Sequence, residues 1–266
     1  MAEPGGAGVR RIADAFAQRS GTAALMPYLM AGFPSGRGAA DIGRAYVGEC
    51  ADLVELGLPF SDPLADGPVV HAAATRALAN GTTLGDALAL CETLAADLPV
   101  VVMAYVNLVL ARGAQAFAGA LADAGASGLI VPDLPLEESD EVLAACDGAG
   151  VALVPLVAPT SPPERLEAIG RRARGFVYAV SVVGTTGERA SLADGVAPLL
   201  ERVKACTPVP AALGFGISTP DHAAAAAAAG ADGVIVASRL MRAAADAADP
   251  GAAVAPLVRG FREALG

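Results

Sequence analysis

The sequence predicts an α/β fold, a single (β/α)8 barrel of the TIM-barrel type spanning residues 1–266, on three observations. Eight short apolar runs alternate with longer helical patterns, most of the runs are continuous rather than alternating, and one turn pattern recurs three times. Continuous Val/Ile/Leu runs suit strands covered by helices on both faces, as the strands of a parallel sheet are. Eight strand–helix units in about 250 residues is the size of such a barrel. With 54% hydrophobic and 17% charged residues, the chain has material for a large core and too little charge for disorder.

The runs, in order, cover residues 23–31, 52–57, 100–105, 128–131, 152–157, 175–180, 209–214 and 233–236. The segments between them carry helix signals. Ser218-Thr219-Pro220-Asp221 starts one helix with a capping hydroxyl and a proline near the first turn. The alanine run 223–229 fills that helix and Gly230 ends it. The recurring turn is seen in Cys50-Ala51-Asp52, Gly125-Ala126-Ser127 and Gly230-Ala231-Asp232, each between a helix end and a buried strand. A doubly wound open sheet is the competing architecture, but no G-x-G-x-x-G follows the first run.

Charge and composition exclude several classes. The formal net charge is -10, so an acidic surface repels nucleic acid and anionic membrane alike. An anionic small substrate stays possible, because backbone amides supply local attraction. Cys50, Cys91, Cys146 and Cys206 fit no zinc or redox spacing and read as buried free thiols. The histidines are His71 and His222 alone, too few for a three-histidine metal site. The first residues lack an apolar h-region, and the longest apolar stretch, 98–111, contains Pro99 and Asn107 and is too short to span a bilayer. A soluble, cytoplasmic protein is expected.

In such barrels the active site lies where the strands end at their C-termini. Glu55 stands near the end of the second run, inside Leu53-Val54-Glu55-Leu56-Gly57. A carboxylate buried on both faces is costly, and a low-dielectric setting raises its pKa towards neutrality, which suits proton transfer. The segment 59–68 follows, a proline-rich loop bearing Asp62 and Asp66. Loops at this rim carry function, yet Asp before Pro or Gly is also ordinary turn chemistry.

The fourteen residues Glu55-Leu56-Gly57-Leu58-Pro59-Phe60-Ser61-Asp62-Pro63-Leu64-Ala65-Asp66-Gly67-Pro68 resemble the signature of the tryptophan synthase alpha subunit family. Further resemblances follow in order: Pro27-Tyr28-Leu29-Met30-Ala31-Gly32, Met103-Ala104-Tyr105-Val106-Asn107, Val131-Pro132-Asp133-Leu134-Pro135, Tyr178-Ala179-Val180-Ser181 and Gly214-Phe215-Gly216-Ile217-Ser218. The resemblance implies retro-aldol cleavage of indole-3-glycerol phosphate to indole and glyceraldehyde 3-phosphate, a step of tryptophan biosynthesis. Glu55 would act as general acid and base, and Asp66 would hydrogen-bond the indole N–H and stabilise charge on that nitrogen. Tyr28, Met103, Tyr178 and Phe215 would line the indole pocket.

Gly187, Gly216, Ala237 and Ser238 would hold the phosphate. This agrees with the usual place of phosphate in such barrels, at the loops after strands seven and eight. Pro59, Asp62 and Asn107 would face a partner, the tryptophan synthase beta subunit, in an alpha2-beta2 heterotetramer. The resemblance implies no metal and no organic cofactor in this chain, with pyridoxal phosphate only in the beta partner. Two residues depart from the family pattern. Ala237 stands where glycine is frequent, beside the phosphate, and His71 stands where glutamine is frequent. The bare reading of His71 is a partly exposed helix-surface residue.

Alternatives remain at this stage. A stand-alone indole-3-glycerol phosphate lyase releasing free indole would use the same residues without a partner. A sugar-phosphate isomerase barrel accounts for the phosphate loops but not for the 55–68 signature. An inactive barrel kept as an allosteric subunit would be expected to lack Glu55 or Asp66, and both are present.

Overall fold

The computed structural model describes residues 6–19, 21–180, 195–214 and 216–266. Along the chain run α1 (Ala7–Ala17), β1 (Ala24–Met30), α2 (Gly36–Gly48), β2 (Val54–Gly57), α3 (Pro68–Ala79), α4 (Leu84–Ala95), β3 (Val100–Met103), α5 (Val106–Arg112), α6 (Ala114–Asp123), β4 (Gly128–Ile130), α7 (Asp140–Ala149), β5 (Ala152–Val154) and β6 (Leu156–Val157). Then follow α8 (Pro163–Arg172), β7 (Val177–Val180), α9 (Val196–Cys206), β8 (Ala211–Gly214), α10 (Pro220–Ala228), β9 (Gly233–Val236), α11 (Ser238–Ala244) and α12 (Pro250–Leu265).

All strand pairs are parallel, in the order β5-β4-β3-β2-β1-β9-β8-β7-β6. The two ends of that order, β5 and β6, are separated in the chain by Pro155 alone. The predicted run 152–157 is thus one barrel strand in two pieces. A proline has no N–H to give a ladder. Its carbonyl still accepts from Tyr178 N–H at 2.9 Å, so the run turns from β4 to β7 and brings the sheet round into a barrel. The (β/α)8 expectation holds, and the ninth strand is this split. Other predicted runs are trimmed at their ends. Val209-Pro210 precedes β8, and Ala104 and Tyr105 follow β3.

The strands are buried almost without exception, as continuous apolar runs require. Beneath them α1 fills the floor with Ile12 and Phe16. Gly128, Gly175 and Gly233 make room there. A methyl group on any of them would come within 3.2 Å of the Ile12 or Phe16 side chain.

The recurring turn closes the same floor. Cys50, Gly125 and Gly230 all adopt positive φ, at 58°, 72° and 96°. Each lets the next amide reach back to the helix, as Ala51 N–H does to Tyr46 O at 3.0 Å. Asp52 then receives the Leu25 amide at 2.8 Å, and Asp232 receives the Ala211 amide at 2.8 Å, tying each strand to its neighbour. Ser127 replaces the aspartate in the third copy, and its Oγ is buried without a partner among the described residues. The cysteine expectation needs a correction. Cys91 and Cys146 are buried, but Cys50 is exposed and Cys206 half-buried. Cys50 occupies the outward corner where its homologous turns have glycine. No helix is long and apolar enough to cross a membrane among the described residues.

Candidate active site

Three side chains, Tyr28, Glu55 and Tyr178, meet above the barrel core because of where their strands end. Tyr28 on β1 pairs in register with Glu55 on β2, and Glu55 with Val101 on β3. Side chains paired in this way share one face of the sheet, here the barrel interior. Two residues further on the same face, Gly57 sits between Met30 and Met103. Gly57 has no side chain to offer there, and the Tyr28 ring occupies the space. A Cβ on Gly57 would lie 1.9 Å from the Tyr28 hydroxyl. Across the barrel Gly214 admits Tyr178 in the same manner, with 2.3 Å to its hydroxyl. Two glycines at strand ends thus make space for two phenols in one chamber.

Glu55 is 1% exposed, and its Oε2 has no hydrogen-bond partner among the described residues. Burial, reinforced by the negative charge of Asp66, pushes its carboxyl up to about 8. Burial also lifts Asp66, to about 6, against the opposing pull of a hydrogen bond from Tyr105 and the proximity of His71. Near neutrality the pair therefore holds one proton on Glu55 and one charge on Asp66. Two carboxyls whose surroundings push their pKa values apart divide into an acid and a charge stabiliser. Burial, Asp66 and Glu55 together hold the Tyr28 phenol well above its usual value. Burial, Glu55 and Asp66 do the same to Tyr178. The four groups share one electrostatic site, and the phenols stay neutral.

Asp66 is placed by its loop. Its amide donates to Pro63 O at 3.0 Å, closing a turn. The Tyr105 hydroxyl accepts from Ala65 N–H at 3.1 Å and donates to the Asp66 carboxylate. The Tyr105 ring stacks on Phe60 with centroids 5.1 Å apart. Asp133, after β4, accepts from Val106 N–H at 2.8 Å and so fixes the start of α5 beside Tyr105. Sequence reasoning did not assign either residue to the site. The signal was present in the aromatic just past β3 and in the Pro132-Asp133 turn, both at the active rim.

The remaining sequence expectations fall as follows. Met103 is buried at the end of β3, two residues beyond Val101, the register partner of Glu55. Gly216 follows β8 with φ of 84°, and Ala237 and Ser238 follow β9, the strand paired to β8. Gly187 and Phe215 lie outside the described residues. Pro59 and Asp62 lie on the 58–67 loop and Asn107 in the first turn of α5. Leu58 N–H donates to Met103 O at 2.9 Å, which holds the loop beside the end of β3. Near them Leu64 is 83% and Leu110 56% exposed, apolar surface that sequence reasoning passed over. His71 is exposed in the first turn of α3, as read, and its proximity lowers the Asp66 carboxyl. Among the described residues no cluster of His, Cys, Asp or Glu could hold a metal ion.

Comparison with known proteins agrees with the fold. The family model described as tryptophan synthase alpha chain matches residues 15–259. The tryptophan synthase alpha chain of Gloeobacter violaceus is 49% identical over 252 residues, covering 93% of this chain and 90% of that protein. That of Synechococcus elongatus is 45% identical over 258 residues, covering 96% of each. Among solved structures, tryptophan synthase of Mycobacterium tuberculosis superposes with a TM-score of 0.90 at 37% identity, over 96% of this chain and 98% of that one. A structure of the tryptophan synthase a2b2 complex from Pyrococcus furiosus gives 0.85 at 33% identity, over 91% and 98%. The chain belongs to the tryptophan synthase alpha chain family.

Proposed function

We propose that this chain cleaves indole-3-glycerol phosphate into indole and glyceraldehyde 3-phosphate, with Glu55 and Asp66 as its catalytic residues. The observation that carries this is the buried Glu55 carboxyl, whose Oε2 has no partner among the described residues, held protonated near neutrality beside a charged Asp66. Breaking the bond from indole C3 to the glycerol chain needs a proton on C3 and the loss of one from the glycerol hydroxyl. Protonated Glu55 supplies the first and its carboxylate accepts the second. The electron pair of the broken bond returns to the ring and restores the indole, the carbon it leaves becomes the aldehyde, and Glu55 ends as it began. Between the two transfers the ring nitrogen carries positive charge, and the Asp66 carboxylate stabilises it through the N–H. A fixed charge in a water-poor site serves such an intermediate better than solvent does. The neutral phenols of Tyr28 and Tyr178, with Met103 and Phe215, bound the indole ring.

The phosphate is assigned to backbone amides of the Gly187, Gly216 and Ser238 loops, with Ala237 beside them. The adjacency of β8 and β9 supports this, since it brings the Gly216 and Ser238 turns side by side. Bonds from backbone amides hold a dianion without a basic side chain. Ala237 in place of a glycine adds one methyl group to that wall. Pyridoxal phosphate is assigned to the beta partner and no cofactor to this chain. A cytoplasmic location follows from the same reading.

The partner is a tryptophan synthase beta subunit in an alpha2-beta2 heterotetramer. The P. furiosus protein forms such a complex, and Leu64 and Leu110 give this chain an apolar rim beside Pro59, Asp62 and Asn107. An exposed leucine at a rim is a good anchor for a protein surface. The decisive experiment is indole release from purified protein, with and without a beta subunit. No release from indole-3-glycerol phosphate in either state overturns the reaction. Full activity alone, with no complex at micromolar concentration, overturns the partner.

A further inference from the structure

The turn after β8 is held from behind by a residue that the reaction does not use. His222, the third residue of α10, is 9% exposed. Its Nδ1 lies 3.2 Å from Gly216 O, 3.3 Å from Ser218 Oγ and 3.4 Å from Ser218 N. Its backbone N–H donates to Thr219 Oγ1 at 3.2 Å, so the residue is anchored to the helix while its ring reaches back past the helix start.

Local stability does not account for the imidazole. Thr219 already caps α10, and alanine, which fills the rest of this helix, is the better helix former. What the ring adds is a hold on residues 216–218. Nδ1 carries at most one hydrogen. Protonated, it donates to the Gly216 carbonyl. Bare, it accepts from the Ser218 amide or hydroxyl. Both states tie the turn to the helix. Gly216 sits at φ of 84° with no side chain to restrict it, so the turn needs such a tie to keep one conformation. Because a peptide unit is planar and trans, fixing the Gly216 carbonyl also fixes the direction of the Ile217 N–H.

We infer that His222 is a positioning residue for phosphate binding, which keeps the 216–218 turn in the arrangement that presents its backbone to the substrate phosphate. The inference rests on the phosphate assignment above. His222→Ala should raise KM for indole-3-glycerol phosphate and the dissociation constant for glycerol 3-phosphate together, by roughly three- to tenfold, the worth of one hydrogen bond. Its kcat should change by less than about twofold, since the reacting atoms are untouched. His222→Asn places an amide where Nδ1 stands and should restore most of the affinity. The experiment is a glycerol 3-phosphate titration of the parent and both variants, with steady-state indole release and thermal melting on the same preparations.

Parent and His222→Ala binding glycerol 3-phosphate equally well would overturn the inference alone, and so would a kcat loss at unchanged KM. Equal weakening in both variants with a lowered melting temperature would make His222 a packing residue and also overturn it. A parent with no affinity for glycerol 3-phosphate would overturn the phosphate assignment and this inference with it.

Discussion

The two ends of the barrel treat their carboxylates in opposite ways. At the floor, Asp52 receives the Leu25 amide at 2.8 Å and ion pairs from Arg19 and Arg262, each at 2.6 Å. Asp232 receives the Ala211 amide and Lys204, at 2.8 Å and 2.7 Å. At the mouth, Glu55 is buried with an oxygen that has no partner among the described residues, and its charged neighbour has the same sign. The floor gives both of these carboxylates donors and thereby stabilises the fold. The mouth leaves one unsatisfied and thereby keeps a proton ready. A barrel can carry such a cost at one end because helix and strand termini at the other end are tied down.

Glu55→Gln should break the mouth and spare the floor. A positioned acid and base is worth about 10²–10⁴ in rate, and kcat should fall by that much while substrate still binds. The pH dependence of stability gives a second handle. Glu55 has a folded pKa of about 8 against a usual 4.5, so the folded state prefers the neutral form. The stability from that neutral form is complete below about 4.5 and is lost as pH rises through about 8. The Gln variant cannot ionise. Its melting temperature should gain on the parent across that range, and a gap that stays constant with pH would show that Glu55 is not a neutral buried acid.

Asp52→Asn tests the other end. Breaking a largely buried ion-pair cluster by removing its charge should cost about 3 kcal/mol in urea unfolding, with kcat unchanged. A loss of activity without loss of stability would erase the division between floor and mouth.

Asp66→Asn should lower kcat by about 10²-fold, since an amide cannot offset a cationic ring. Asp66 also helps to raise Glu55, so the alkaline limb of kcat/KM, expected near the Glu55 value of about 8, should move to lower pH in this variant. A rate loss under about tenfold would reduce Asp66 to a turn residue.

Leu64→Ser sharpens the picture of the rim. It should weaken association with a beta subunit by about tenfold in a mixing experiment, as the loss of one apolar anchor does. Asp62→Ala should weaken activation by that subunit more than basal turnover. The smallest effect belongs to the floor again. Cys50 takes a left-handed φ of 58° that its counterparts Gly125 and Gly230 take without a Cβ. Cys50→Gly should therefore gain about 0.5–1 kcal/mol in the same unfolding assay. No gain would mean that the cysteine side chain makes up for its backbone.

Much of this was legible in the order of residues. Apolar runs long enough to bury both faces marked the strands, and the repeat at residues 50, 125 and 230 marked the barrel floor before any coordinate did. Glu55 stood out because a carboxylate in such a run has few harmless explanations. Local sequence determined these features because each depends on neighbours within a few positions: periodicity, a capping hydroxyl, a glycine at a helix end. The tertiary structure alone decided the rest. Pro155 divides one strand between two neighbours, and only pairing on both sides reveals that. Tyr105 takes the Ala65 amide, next to Asp66, from forty positions away, and His222 reaches back to the Gly216 turn from a helix that its own cap already completes. The proton on Glu55 depends on burial and on Asp66, both of which arise when distant segments converge. Contacts made through space set these properties, and the sequence holds no local sign of them.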